Sequence, residues 1–236
     1  MQAAKKFFLT SIMVFSLLAA YLSVRWAIAD ILETQIRYQL GKAQTVGQTL
    51  DARQWRLTHD MLENTLKLHP GYSGYLELAV FFYQVAASRP KALLDELDWR
   101  DSQQQALEYA RSALLKRPAW PYLWNELFQS KIKLKQFDNE LTGAMERAVT
   151  LGPWEQSVQY DVAFTGLDNW DKLEMAARKW VIMALNKTII MQPDPQPLVK
   201  EILAHANIGK LCLSVNEMPE YEMKMLAKYC KQPFPD

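Results

Sequence analysis

An all-α fold follows from three features of this 236-residue sequence: an uncharged apolar run near its start, a helical phrase repeated at fixed offsets before proline, and only 8 glycines. The expected architecture is one membrane-spanning helix, then an α-solenoid of stacked helical hairpins, then a closing hairpin. Few glycines beside abundant Leu, Ala, Glu, Gln and Lys favour helices with short connections over sheets with glycine-rich turns. The length suffices for a core without disulfides. Lys and Arg number 27 against 26 Asp and Glu, a formal net charge of +1. No basic field exists to neutralise a phosphate backbone, which argues against nucleic acid as a partner.

The first element is FFLTSIMVFSLLAAYLSV, Phe7 to Val24. As a helix at about 1.5 Å per residue it is roughly 27 Å long, close to the thickness of a bilayer core. Lys5 and Lys6 precede it, and Arg25, Trp26 and Asp30 follow; a basic start and an aromatic at the far boundary suit headgroup regions. Residues 7–24 are therefore the expected contact with the lipid bilayer. A cleavable signal peptide is the competing reading, because Ala27 and Ala29 form a small-x-small pattern before Asp30. An uncut anchor is favoured by the long apolar run and by Ile31, Leu32, Ile36 and Leu40, whose spacing continues a helical stripe beyond it. Nearby Lys and Arg do not decide orientation, with two before the run and three after (Arg25, Arg37 and Lys42). A short basic leader running straight into an apolar core is how exported bacterial chains begin, and it points to a periplasmic domain held by the inner membrane. The expected organisation is a cytoplasmic leader and anchor over 1–29, a juxtamembrane helix over 30–48, helical repeats over 49–192, and a capping hairpin with tail over 197–236.

The repeat is carried by ALEYARSALLKRP, with Ala106, Ala110, Ala113 and Pro118 at offsets 0, 4, 7 and 12. LTGAMERAVTLGP repeats those offsets with Leu141, Met145, Ala148 and Pro153, and THDMLENTLKLHP with Thr58, Leu62, Thr65 and Pro70. Offsets 0, 4 and 7 share one side of a helix, small residues there admit a close partner, and proline ends the helix. This is the second helix of a tetratricopeptide-like unit. Trp124 and Leu127 take the aromatic and leucine positions of a first helix, with Phe137 on the turn side. Pro118 and Pro153 lie 35 residues apart, against the usual ~34. Pro70 to Pro118 is a longer step, placing an insertion at Ser88 to Arg100. A third pair begins near Val158, with Trp170 in its turn and a second helix carrying Leu173, Ala177 and Trp180 to about Ile190. After QPDPQP (Gln192 to Pro197), Leu198 to Ser214 and Glu220 to Tyr229 read as the closing hairpin, an atypical end that hides the last apolar face.

First helices of such repeats line a groove suited to peptides or partner helices. Tyr122, Asn125, Gln129 and Lys133 point there from one repeat, and Glu77 and Phe81 from the preceding one; polar residues with an occasional aromatic suit peptide contacts, and a merely solvated inner face is the alternative. Trp120, Trp124, Trp154 and Trp170 fall at or near repeat turns, where large aromatics fill gaps between helices. Trp120 and Trp154, flanking the junction prolines, are the expected exposed aromatics. No catalytic, cofactor-binding or metal site is expected. His59, His69 and His205 lack metal-ligand spacing, and the common nucleophile, phosphate-loop and dinucleotide signatures are absent. Asp95, Glu96 and Asp98 read as solvated charge on the insertion. A symmetric hairpin about Glu217 would set Cys212 and Cys230 about 12 Å apart along a regular helix. That exceeds the ~7 Å Cα limit for a disulfide, so a bridge requires the tail to bend near Tyr229, and buried or idle thiols are the alternative.

LGPWEQSV (Leu151 to Val158), GLDNW (Gly166 to Trp170) and RPAWPYLWNEL (Arg117 to Leu127) resemble the VpsP-type polysaccharide biosynthesis proteins of bacterial exopolysaccharide gene clusters. The resemblance covers roughly residues 100 to 215 and extends to the N-terminal anchor; the insertion and the tail from Met218 to Met225 depart from it. It implies a non-enzymatic accessory component of exopolysaccharide synthesis or export, with other membrane or periplasmic proteins of that system as partners. The repeats by themselves fit an adaptor of another envelope machine, for secretion or pilus assembly, equally well.

Overall fold

The structure, a computed structural model, describes residues 2–45, 50–88, 99–216 and 224–230, and every regular element in them is helical. The chain divides into two compact units, residues 1–102 and 103–236.

In the first unit, α1 (Gln2–Gln44), α2 (Ala52–Leu68) and α3 (Ser73–Ala87) pack on one another pairwise. The anchor and the juxtamembrane helix of the sequence reading are thus one uninterrupted helix, apolar enough to cross a membrane. Its two halves differ. Residues 6–24 are exposed throughout, whereas Ala29, Ile36 and Leu40 are fully buried against α2 and α3. The expected stripe is corrected at Ile31, which is 68% exposed; Ala29, seven residues before Ile36, takes the inward position. Asp51 starts α2 by a reciprocal cap: Gln54 N–H donates to its carboxylate at 2.7 Å while the Gln54 side chain accepts from Asp51 N–H at 2.8 Å. Thr58, Leu62 and Thr65, the repeat offsets, are buried along α2, and Trp55 meets Phe82 of α3 edge-on. The expected insertion falls largely on 89–98, outside the described residues, together with Asp95, Glu96 and Asp98.

The second unit holds most of α4 (Trp99–Leu114), then α5 (Pro121–Lys133), α6 (Asn139–Leu151), α7 (Gln156–Asp168), a single 3₁₀ turn (Trp170–Lys172) and α8 (Met175–Met191). α9 (Gln196–Leu203), α10 (Ile208–Asn216) and α11 (Lys224–Cys230) close it. α5 pairs with α6 and α7 with α8; α5 then lies beside α7, and α6 beside both α7 and α8. This is the contact pattern of stacked helical hairpins. Ala106, Ala110, Ala113, Leu141, Met145 and Ala148 are all buried to 1% exposure or less, so the offsets read from the sequence are the packed face. Pro121 opens α5, where its missing N–H costs nothing, and Asp138 caps α6 by accepting Leu141 N–H at 3.0 Å.

Gly152 explains the glycine of LGPW. A Cβ there would lie 2.8 Å from Pro121 Cβ, so only glycine lets the end of α6 meet the start of α5 this closely. The carbonyls at that end are satisfied from the next helix: the fully buried Gln159 of α7 donates to Val149 and Gly152 oxygens at 3.1 and 2.7 Å. Gly166 serves the α7–α8 contact likewise, since a Cβ would meet Val181 Cγ2 at 2.4 Å.

In the C-terminal segment one expectation is corrected and one open choice is decided. Leu198 to Ser214 is not one helix: it breaks at Ala204–Asn207, where His205 lies 3.0 Å from Asp168 and Asn207 donates to Leu167 oxygen at 2.9 Å, both at the end of α7. These side chains draw the backbone out of the helix. The Cys212–Cys230 bridge, which a symmetric hairpin would forbid, is present, with Cα atoms 5.3 Å apart. α11 is positioned by α8 as well as by α10: Asn186 of α8 accepts from Met225 and Leu226 N–H at 3.2 and 3.1 Å.

Candidate functional site

The residues of α5 expected to line a groove are half-buried or buried; Tyr122, Asn125 and Gln129 are hydrogen-bonded to α7 or to Glu155 at its start, and Lys133 lies near Asp161 of α7. The Tyr122 hydroxyl donates to Glu155, Asn125 donates to Asp161 at 2.7 Å, and Gln129 donates to Thr165 at 3.1 Å. These separations, 33, 36 and 36 residues, match one repeat step. The face is therefore a ladder of polar rungs between successive first helices, and its outer row is supplied by α7. Tyr160 and Phe164 stack there with ring centroids 4.4 Å apart, and the Tyr160 hydroxyl reaches Glu201 of α9 at 3.3 Å.

The electrostatics of this face are unusual for a surface. Burial pushes the Asp161 carboxyl above its ordinary range, although the Asn125 amide and the nearby Lys133 ammonium oppose the shift. Burial lowers Lys133, against the pull of Glu126 and Asp161. Asn125 is 5% exposed, and its Oδ1 has no hydrogen-bond partner. The half-buried Asp161 carboxylate and Lys133 ammonium together suit a ligand carrying both donors and acceptors, as a peptide backbone does, while the Asn125 acceptor is buried beneath them. Asp161, Thr165, Tyr160 and Phe164 were not picked out from the sequence; stepping 33 to 36 residues on from Tyr122, Asn125 and Gln129 would have found their α7 partners.

Glu77 and Phe81 are half-buried on α3, in the first unit. Of the tryptophans, Trp170 is buried at 1% and Trp154 is 77% exposed with Lys187 over its ring at 5.8 Å. Trp120 is half-buried beneath the Arg117 guanidinium at 4.1 Å, and Trp124 donates to Pro118 oxygen at 2.7 Å with Arg147 over its face. His59 lies 3.3 Å from the Tyr83 hydroxyl, and His69 stacks on Trp26 at 3.9 Å.

A second polar centre, unforeseen from the sequence, lies at the α5–α6 turn. Lys131 is 1% exposed, and its ammonium donates to Glu140 at 2.6 Å, Asp138 at 2.9 Å and Gln136 at 3.4 Å. Arg111 of α4 donates to both Glu140 oxygens at 2.9 and 2.6 Å. The Arg111 fork and the Lys131 ammonium, working against burial, hold the Glu140 carboxyl down to about 2. One repeat step on from Arg111 lies Glu146, so this bridge slants back along α6 from strict repeat register. These groups pin the turn that sets α5 against α6.

These features define an all-helical repeat protein with one N-terminal helix able to span a membrane. The chain matches no family model and has no significant match among curated proteins.

Proposed function

We propose that this chain is a membrane-anchored, non-enzymatic scaffold whose α5/α7 face captures a partner chain in the bacterial envelope, as an accessory component of exopolysaccharide synthesis or export. The reading rests above all on α1, an apolar helix exposed over residues 6–24 that runs without a break into a packed helical domain. Lipid would remove this exposed apolar surface from water while the helix satisfies its own backbone hydrogen bonds. The Cys212–Cys230 bridge supports placing the domain on the oxidising, periplasmic side of the inner membrane. The polar α5/α7 face supports peptide or helix capture, and the resemblance of Arg117–Leu127, Leu151–Val158 and Gly166–Trp170 to VpsP-type proteins supports the polysaccharide system.

The test is site-specific photocrosslinking in cells making the polymer, with the crosslinker at Gln129 and, as control, at Leu213, which is 71% exposed on α10. The proposal expects a discrete adduct at Gln129, absent at Leu213, whose partner chain belongs to a polysaccharide synthesis or export system. A secretion or pilus component in that adduct would move the chain to the alternative envelope machine. Equal, diffuse labelling at both positions would remove the face from the argument.

A further inference from the structure

We propose that the cleft where α1 enters the first folded unit is a seat for phospholipid headgroups, holding the α2–α3 turn against the membrane surface; this rests on the membrane-anchor reading of α1. The cleft, of about 450 Å³, is lined by Leu22, Arg25, Trp26, His69, Gly71 and Tyr72 among others. Its place along α1 is set by sequence: Trp26 follows Val24, the last residue of the apolar run, by two positions, or about 3 Å of helix rise. That is the headgroup level of a bilayer spanned by residues 7–24.

The α2–α3 turn is fixed at the same level by aromatic contacts. His69 stacks on Trp26 at 3.9 Å, Tyr72 meets Trp26 edge-on at 5.2 Å, and Tyr75 packs 4.7 Å from Tyr72. Tyr75 in turn donates to Asp30 of α1 at 2.6 Å, which locks α3 to the anchor one turn beyond the collar. Trp26 and Tyr72 remain 39% and 45% exposed, as interfacial aromatics with an apolar body and a polar tip should be. The chemistry of the cleft matches a phosphodiester. Arg25 donates one N–H to Leu68 oxygen, and a guanidinium has five donors in a fork that fits phosphate. His69 Nε2 is buried without a partner, so the stacked imidazole serves the aromatic contact with Trp26 and Arg25 is the donor left for phosphate. Leu22 supplies the apolar shoulder on the bilayer side, where the acyl chains begin. A soluble anion would meet only the polar part of this surface; a phospholipid meets both.

The experiment uses the full chain with one added cysteine, at Gly71 or, as control, at Gly41. At both positions an added Cβ meets nothing within 4 Å. Gly41 lies fifteen residues beyond Trp26, about 22 Å further along α1. Each cysteine carries a nitroxide attached without reductant, which leaves Cys212–Cys230 closed. The protein is placed in bilayers of equal parts phosphatidylcholine and phosphatidylglycerol, and in dodecyl maltoside micelles, whose headgroups have no phosphate. Collision with a water-soluble paramagnetic relaxant should be several-fold lower at Gly71 than at Gly41 in the bilayer, and the contrast should shrink in maltoside. Arg25→Gln in the bilayer should reproduce the maltoside result. Equal accessibility of Gly71 and Gly41 in the bilayer overturns the proposal. Shielding that is as strong in maltoside, or that survives Arg25→Gln, overturns the phosphate seat and leaves apolar contact alone. Should Arg25→Gln fail to fold, the lipid comparison on the unsubstituted arginine decides. Release of the chain from bilayers by alkaline wash would remove the anchor and this seat together, whereas an anchored chain with an exposed Gly71 removes only the seat.

Discussion

Replacing Glu140 by glutamine removes the charge that Arg111 and Lys131 share while keeping the side chain's size. In the folded chain the Glu140 carboxyl is held from its ordinary 4.5 down to about 2, which at about 1.4 kcal/mol per pH unit corresponds to roughly 3 kcal/mol. The Glu140 and Arg111 side chains are 37% and 36% exposed, so solvent screening reduces the usable figure to about 1–2 kcal/mol. Because the folded state holds this group ionised more strongly than the unfolded chain does, its contribution is present above pH 4.5 and is lost as pH falls toward 2. Asp138 moves in the same direction: its burial is outweighed by donation from Lys131 and Leu141 N–H, so Glu140→Gln should flatten this acid limb without abolishing it. The assay is urea unfolding of the detergent-solubilised chain across that pH range, by circular dichroism. Glu140→Gln should lose about 1–2 kcal/mol at neutral pH and converge with the parent near pH 2. An unchanged midpoint at neutral pH, or an acid limb as steep as the parent's, would refute the account of how the α5–α6 turn is held.

Asp161 has the opposite sign. Burial raises its pKa in the folded chain, so its ionisation opposes folding as pH rises from the ordinary 3.8 to the raised value, and Asp161→Asn should remove that decline in an unfolding titration. Gly166→Ala forces a Cβ against Val181 at 2.4 Å and should cost about 1–3 kcal/mol in urea unfolding. Gly143→Ala, where a Cβ meets nothing in the middle of α6, should be neutral or gain up to about 1 kcal/mol. Opening the 18-residue Cys212–Cys230 loop by Cys212→Ser with Cys230→Ser should cost about 3 kcal/mol, read as faster hydrogen exchange in α11 while α5 to α7 keep their protection.

The hairpins were legible because helix packing imposes a rule on single residues. On a packed helix the residue at each inward offset must be small or apolar, and Ala106, Ala110 and Ala113, all fully buried, declare this without any knowledge of the partner. The long apolar helix was legible for the same reason, since eighteen uncharged residues stand out from any amphipathic pattern. What escaped depends on pairs. The break at Ala204–Asn207 carries no proline or glycine; it is made by His205 and Asn207 reaching the end of α7, and only the fold brings those groups together. Lys131 reads as an exposed helix cation until Glu140 and Asp138 surround it. Tyr122, Asn125 and Gln129 were expected to line an open groove, but the closeness of α7, which makes them rungs of a bonded ladder, was not readable from the sequence. The disulfide stayed open in the sequence because it depends on where the tail bends, and that is set by Asn186 of α8 holding α11.

Membrane retention of the full chain after alkaline washing tests the central claim most directly, with Leu17→Lys plus Leu18→Lys as the comparison. Each lysine at the middle of the span opposes insertion by about 3 kcal/mol. The account predicts that the parent stays with the membranes while the double variant is released, still folded by the hydrogen-exchange protection of α5 to α8. Equal release of both would mean that residues 6–24 do not cross a bilayer, and would contradict the anchored scaffold at its root.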